Sequence, residues 1–179
     1  MVISRTLPVI LGAALLASGA ALAQDDQVKR GEYLVTITGC NDCHTPLAMG
    51  PSGPEPDMSR MLSGHPQDFV VGAPAAVPEP WGGAFAPTLT AWSGPWGVSF
   101  TANLTPDEET GVLRDFTEEQ FIQTMRTGRH QGQGRAILPP MPWPMIGKMT
   151  DEDLKAVFAY LRQIPAVKNK VPDPIPPAQ

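Results

Sequence analysis

The chain has 179 residues, of which 13 are basic and 18 acidic, with 21 prolines, 17 glycines and two cysteines, a length that suits one modest exported domain rather than several. A formal net charge of −5 and a pI near 5.1 repel a phosphate backbone, and no lysine-rich stripe reverses that field locally, so no nucleic-acid partner is expected. Charged residues at 17% and apolar ones at 42% exclude disorder throughout.

Residues 1–23 read as an export signal: Arg5 supplies positive charge, Leu7 to Leu16 an apolar stretch, and Ala21-Leu22-Ala23 the small-residue cleavage pattern. Gln24 is then the expected mature start, and the destination is the periplasm. Gly12, Ser18 and Gly19 interrupt the apolar run, which falls short of the roughly 20 residues a membrane span needs, so no span is expected in the mature chain. A single domain is expected over 24–165, followed by a proline-rich tail at 166–179 that should be extended and, from Val171 on, mobile.

Within that domain, Asp26 to Ile37 reads as a helix with Val28, Gly31 and Val35 on one face, stopped by Gly39. Gly31 would let another helix approach closely. Residues 45–96 hold 10 of the prolines and 7 of the glycines without sustained periodicity, which predicts a long loop. Trp81, Phe85, Trp92 and Trp96 within it argue for packing around something rather than disorder. Thr105-Pro106-Asp107-Glu108-Glu109 carries the cap, proline and acidic first turn of a short helix closed by Gly111. Thr117-Glu118-Glu119-Gln120 is a capping box, with Phe121, Ile122 and Met125 following and Gly128 placed to end the helix. Thr150-Asp151-Glu152-Asp153 caps a last helix whose Leu154, Val157, Phe158 and Leu161 share a face, ended by Ile164-Pro165.

Both cysteines lie in Cys40-Asn41-Asp42-Cys43-His44, and Cys-x-x-Cys-His is the signature of covalent c-type haem attachment. Two residues between the thiols let both sulfurs reach the vinyl groups on one haem edge, while the adjacent imidazole projects to the iron. The competing readings are weaker. A disulfide across so short a loop removes little unfolded-state entropy and leaves His44 unexplained. A thioredoxin-like site needs a strand before the motif, where this sequence has a helix, and structural zinc needs more ligands than one cysteine pair supplies.

Six-coordinate iron needs a second axial ligand, and with His44 committed His65, His130 and the methionines remain. Met58, Met61 and Met125 lie in helical contexts that suit packing, and Met49 is too close to His44 to cross easily to the other haem face. Met141 sits in Ile137-Leu138-Pro139-Pro140-Met141-Pro142-Trp143-Pro144, where four prolines restrict the backbone and suit a weak thioether that the protein must position. It is preferred to Met145, and to Met149, which abuts a helix cap. His65 in Ser63-Gly64-His65-Pro66 reads as a loop residue. Arg126, Arg129, His130 and Arg135 form the only basic concentration, either partners for haem propionates or a solvated patch. Asp107, Glu108 and Glu109 fit first-turn acids better than a calcium site.

On these residues the chain resembles the class I c-type cytochromes, and within them the single-haem domains of cytochrome partners of periplasmic alcohol and sugar dehydrogenases. The resemblance rests on Arg30 to Val35, on Cys40 to Pro46, on Asn103 to Gly111, and on Met141-Pro142-Trp143 with Met149 to Leu154. It implies an all-α cytochrome c fold, with first and last helices crossing, Gly31 facing the last helix near Tyr160, and a long Pro/Gly-rich loop segment. It also implies Met141 as distal ligand. The cofactor is then haem c with its iron, attached by Cys40 and Cys43 and ligated by His44 and Met141. The chain would be an electron carrier and not an enzyme. Its partners would be a dehydrogenase donor and an oxidase or another cytochrome as acceptor. Dehydrogenase cytochrome subunits often carry three such motifs; this chain has one, and its segment from Phe69 to Trp96 is long for a minimal cytochrome. A cytochrome subunit docked permanently on a dehydrogenase, or a haem enzyme or sensor with an open sixth position, are the alternatives.

Overall fold

The computed structural model describes residues 10–177, with side chains from Gln24 onward. The expected export signal therefore lies outside the described residues over 1–9, and over 10–23 only its backbone, part of a helix, is described.

Among the described residues five helices form: α1 (Ile10–Ile37), α2 (Cys40–His44), α3 (Glu118–Thr127), α4 (Trp143–Ile146) and α5 (Asp151–Leu161). Five short strands join them: β1 (Leu47–Gly50), β2 (Gly53–Pro56), β3 (Ala84–Phe85), β4 (Ala91–Gly94) and β5 (Gly97–Phe100). Strands β1 and β2 make one antiparallel pair, and β3-β4-β5 make an antiparallel sheet. The all-α expectation is therefore wrong: this is a mixed fold in which four of the five strands lie in the segment read as loop. The reason is local. Trp92, Val98 and Phe100 suit a half-buried pleat, and Gly94 pairs with Gly97 across a two-residue turn of Pro95 and Trp96.

The helical part follows its sequence signals. Thr117 Oγ1 accepts from Gln120 N while the Gln120 side chain accepts from Thr117 N, and Gly128 closes α3 in the left-handed conformation. Thr150 caps α5 by accepting from Asp153 N. Helices α1 and α5 cross at Gly31, where a Cβ would lie 2.0 Å from Ala156 O and 2.7 Å from Tyr160 Cβ, so only hydrogen permits this approach. Arg30 Nε donates to Asp153 at 2.8 Å beside the crossing. The core below it gathers Leu34, Val35, Phe121, Leu154, Val157 and Leu161, each large aliphatic side chain contributing about 1.5–3 kcal/mol by leaving water.

The helix expected from Thr105 does not form. Asp107 Oδ1 instead accepts from Glu109 N, Thr110 N and Thr110 Oγ1, a side chain competing with the helical ladder for the same donors. The long segment is fixed by polar bonds more than by apolar burial. His65 is fully buried, with Nε2 2.8 Å from Phe69 O and Nδ1 2.9 Å from Thr90 Oγ1. A carbonyl can only accept, so Nε2 carries the proton and Nδ1 accepts from Thr90, whose oxygen in turn accepts from Thr88 Oγ1 at 2.7 Å. Trp81 and Phe85 nonetheless remain exposed, at 72% and 62%.

The tail is extended but held. Asn169 Nδ2 donates to Ser63 O and His65 O, both at 2.8 Å, and its Oδ1 accepts from Gln67 N at 2.9 Å. Asn103 Nδ2 donates to Val167 O at 2.8 Å. Ile175 exchanges both backbone bonds with Val98, at 2.8 and 3.0 Å, adding a bridge to the free edge of β5.

Candidate functional site

Helix α1 ends with Thr38 N donating to Leu34 O, and Gly39 turns the chain at φ 68°, a conformation that a side chain disfavours. The single turn α2 follows at once. Cys40, Cys43 and His44 stand three and four residues apart, which on a helical turn places all three on one side. His44 is buried, and its Nδ1 lies 2.8 Å from Ala102 O. Because that partner is a carbonyl, Nδ1 donates and Nε2 keeps an unshared pair. Burial pushes the His44 pKa down, against the opposing bond to Ala102, so the neutral imidazole is favoured. Burial pushes the Cys40 thiol up, and burial with Asp42 does the same to Cys43.

These three residues line one cavity, partly open to solvent. Its lining also includes Phe121, Thr124 and Met125 of α3, Trp92 and Phe100 of the three-stranded sheet, and the loop Ile137 to Pro142. Met141 lines it too. The other methionines divide: Met49, Met58 and Met145 are 80%, 60% and 57% exposed, while Met61 and Met149 pack against the core. Met125 both packs in the core and lines the cavity. His65 is elsewhere, with both ring nitrogens engaged. Of the basic concentration, His130 and Arg135 reach the cavity, whereas Arg126 binds Gly147 O and Asp151 and Arg129 binds Gly134 O. Burial, then Arg135, pushes the His130 pKa down. Asp107 caps its own turn, and Glu109 pairs with Lys168 at 2.7 Å.

Over 173 residues the chain is 28% identical to the cytochrome c subunit of a quinone alcohol dehydrogenase from Gluconobacter oxydans, a match covering 93% of this chain and 29% of that subunit. It is 31% identical over 147 residues to the gluconate 2-dehydrogenase cytochrome c subunit of Pantoea cypripedii, covering 80% and 25%. Against the fructose dehydrogenase cytochrome subunit of Gluconobacter japonicus it is 26% identical over 160 residues, covering 86% and 26%. The chain is homologous to dehydrogenase cytochrome c subunits. It spans less than a third of the length of these relatives. No protein-family model matches it. No helix among the described residues is long and apolar enough to cross a membrane.

A cytochrome c relationship implies covalently bound haem c, and the cavity fits it. The lining is mostly apolar, as a macrocycle requires, the thiols and the imidazole lie together in it, and two buried polar atoms without partners, Trp92 Nε1 and Thr101 Oγ1, belong to residues of the lining. Such orphans are costly unless a ligand completes them, and the carboxylates at a haem edge are acceptors for both. Sequence reasoning missed Thr101 and the Ala102 carbonyl. A backbone acceptor leaves no trace in residue identity, and Trp92 was legible only as a ring needing a neighbour.

Proposed function

We propose that the protein is a periplasmic one-electron carrier with a single haem c, joined through Cys40 and Cys43 and ligated by His44 Nε2 and Met141 Sδ. The observation that supports this best is one apolar cavity bordered by Cys40, Cys43, His44 and Met141 together. When bound, the haem supplies exchange of one electron between ferrous and ferric iron. The chain's own part is to hold and to exclude. The Ala102 carbonyl fixes the His44 tautomer, Trp92 Nε1 and Thr101 Oγ1 would donate to the propionates, and the apolar side chains of Phe100, Phe121 and Met125 would keep water from the ring. Histidine and methionine ligation favours the reduced iron and raises the potential. With both axial positions filled from the chain, no substrate reaches the metal, which makes the protein a carrier and not an enzyme. Electrons would come from a dehydrogenase and leave to an oxidase or another cytochrome. Because the relatives are named as subunits of dehydrogenases, permanent docking on such an enzyme is the second reading.

Mass spectrometry of the exported protein should show one haem added per chain, and acid acetone should not extract it. The ferric protein should show the weak long-wavelength band of sulfur-to-iron charge transfer, and the ferrous protein should bind carbon monoxide poorly. Met141→Ala should abolish the band and open the iron, whereas Met125→Leu and His130→Gln should preserve it. Loss of the band in Met125→Leu alone would move the ligand to α3, and carbon monoxide binding by the unmodified protein would refute the carrier reading.

A further inference from the structure

We propose that Ser99 of β5 is a positioning residue for the Met141 loop, its hydroxyl clamping that loop to the sheet and setting how firmly the thioether is held. The inference rests on Met141 being the axial ligand. Ser99 is 7% exposed and pairs with Trp92 in the ladder, so its side chain points to the face that borders the cavity. Its Oγ donates to Pro139 O at 2.5 Å, while Trp96 Nε1 donates to Ser99 Oγ at 3.3 Å. A hydroxyl has one hydrogen. With the indole occupying the acceptor side, that hydrogen is directed at Pro139, the longer 3.4 Å approach to Trp92 O being the weaker alternative.

The loop has little else to hold it. Ile137 N donates to Gly128 O at one end, and Pro142 O accepts from Met145 and Ile146 at the other. Between them Pro139 and Pro140 have no N–H to offer, so carbonyls are the anchoring groups the prolines provide. Among the described residues, Ser99 is the one side chain from outside the loop that bonds its backbone from Leu138 to Met141. The bond falls two residues before Met141. A thioether is a weak donor to iron, so its occupancy of the sixth position depends on what the loop would gain by swinging away. Proline rigidity fixes the shape of the loop, and Ser99 fixes its place. The three-stranded sheet, through β5, thus supplies the second anchor of the ligand.

The test uses the full-length haem-loaded protein and imidazole, which binds ferric iron only by displacing the sixth ligand. Ser99→Ala should keep the charge-transfer band in the absence of imidazole yet bind imidazole about 3–10 times more tightly, the equilibrium effect of one neutral hydrogen bond. Ser99→Thr, which retains the hydroxyl on a β-branched residue suited to a strand, should restore the original affinity. A purely structural role would lower the unfolding temperature without altering imidazole affinity, and that result overturns the proposal. So does Ser99→Thr binding as tightly as Ser99→Ala. Should Ser99→Ala not yield folded holoprotein, Trp96→Phe decides: loss of the indole N–H should tighten imidazole binding in the same direction, and no change overturns the proposal. Met141→Ala separates the two levels, since imidazole affinity unchanged in that variant refutes the ligand assignment itself and this inference with it.

Discussion

Replacing Gly31 by alanine should destabilise the protein although it improves the helix. On an open helical face the change would gain about 1 kcal/mol of propensity. At the crossing of α1 and α5 the new methyl would lie 2.0 Å from Ala156 O, 2.6 Å from Ala156 C and 2.7 Å from Tyr160 Cβ. Comfortable carbon contacts begin near about 3.5 Å, so the helices must separate by roughly 1 Å or more. The nearest atom belongs to the main chain, and no rotamer can relieve it. Overpacking of this kind costs about 1–3 kcal/mol. Taking the upper end, because the obstacle is rigid, and subtracting the propensity gain leaves a net loss of about 2 kcal/mol. For a chain of this size that lowers Tm by about 4–8 °C, readable by far-ultraviolet circular dichroism on the haem-loaded protein. An unchanged or raised Tm for Gly31→Ala would refute the close crossing.

Asn169→Ala strips partners from the carbonyls of Ser63 and His65 and from Gln67 N, and should cost about 2–6 kcal/mol in urea unfolding, about 1–3 for each of the two buried carbonyls left unpaired; a loss under about 0.5 kcal/mol would show the tail to be dispensable. Burial holds the His65 pKa below its usual value, with Phe69 O and Asp68 opposing, so the stability that neutral His65 contributes is complete above its unfolded value of about 6.5 and is lost as pH falls through the lower folded value. Unfolding free energy should therefore decline on acidification below about pH 6.5, with up to about 1.4 kcal/mol per pH unit attributable to this one proton and absent in His65→Gln. Thr117→Ala, which removes the reciprocal cap on α3, should cost about 1 kcal/mol by the same measurement.

Signals that are local and chemically specific survived the passage from sequence to structure. The capping box at Thr117, the cap at Thr150 and the stop at Gly128 are instructions read within four residues, and they were followed. Gly31 against Tyr160, implied by the family resemblance, is a contact that only a known fold could have pointed to. Strands of two to four residues fared otherwise, because Ala84-Phe85 or Gly97 to Phe100 show at most two alternations, too few to stand out from a proline-rich background. Thr105 to Glu109 misled because Thr, Pro and Asp open helices and turns alike. Asp107 satisfied the turn's donors itself, and no helix began. The motif Cys40 to His44 was plain, but the cavity beside it takes walls from Trp92, Thr101 and Ala102, whose places depend on pairings that residue identity does not encode.

The bonds of Asn169 join residues 106 and 104 positions apart, and those of Ile175 close the sheet edge at Val98. Contacts of such long sequence separation form late and reluctantly. They also couple what they join. The amides of Gly64, His65, Val98 and Leu104, each donating to a carbonyl within this polar web, are shielded by one structure and not by four. In hydrogen exchange they should therefore lose protection together with Ile175, as a single opening unit distinct from the helix crossing. The sheet wall of the cavity then opens as one piece, and because Gly64 N donates to His44 O that opening also frees the backbone of the Cys40–His44 motif.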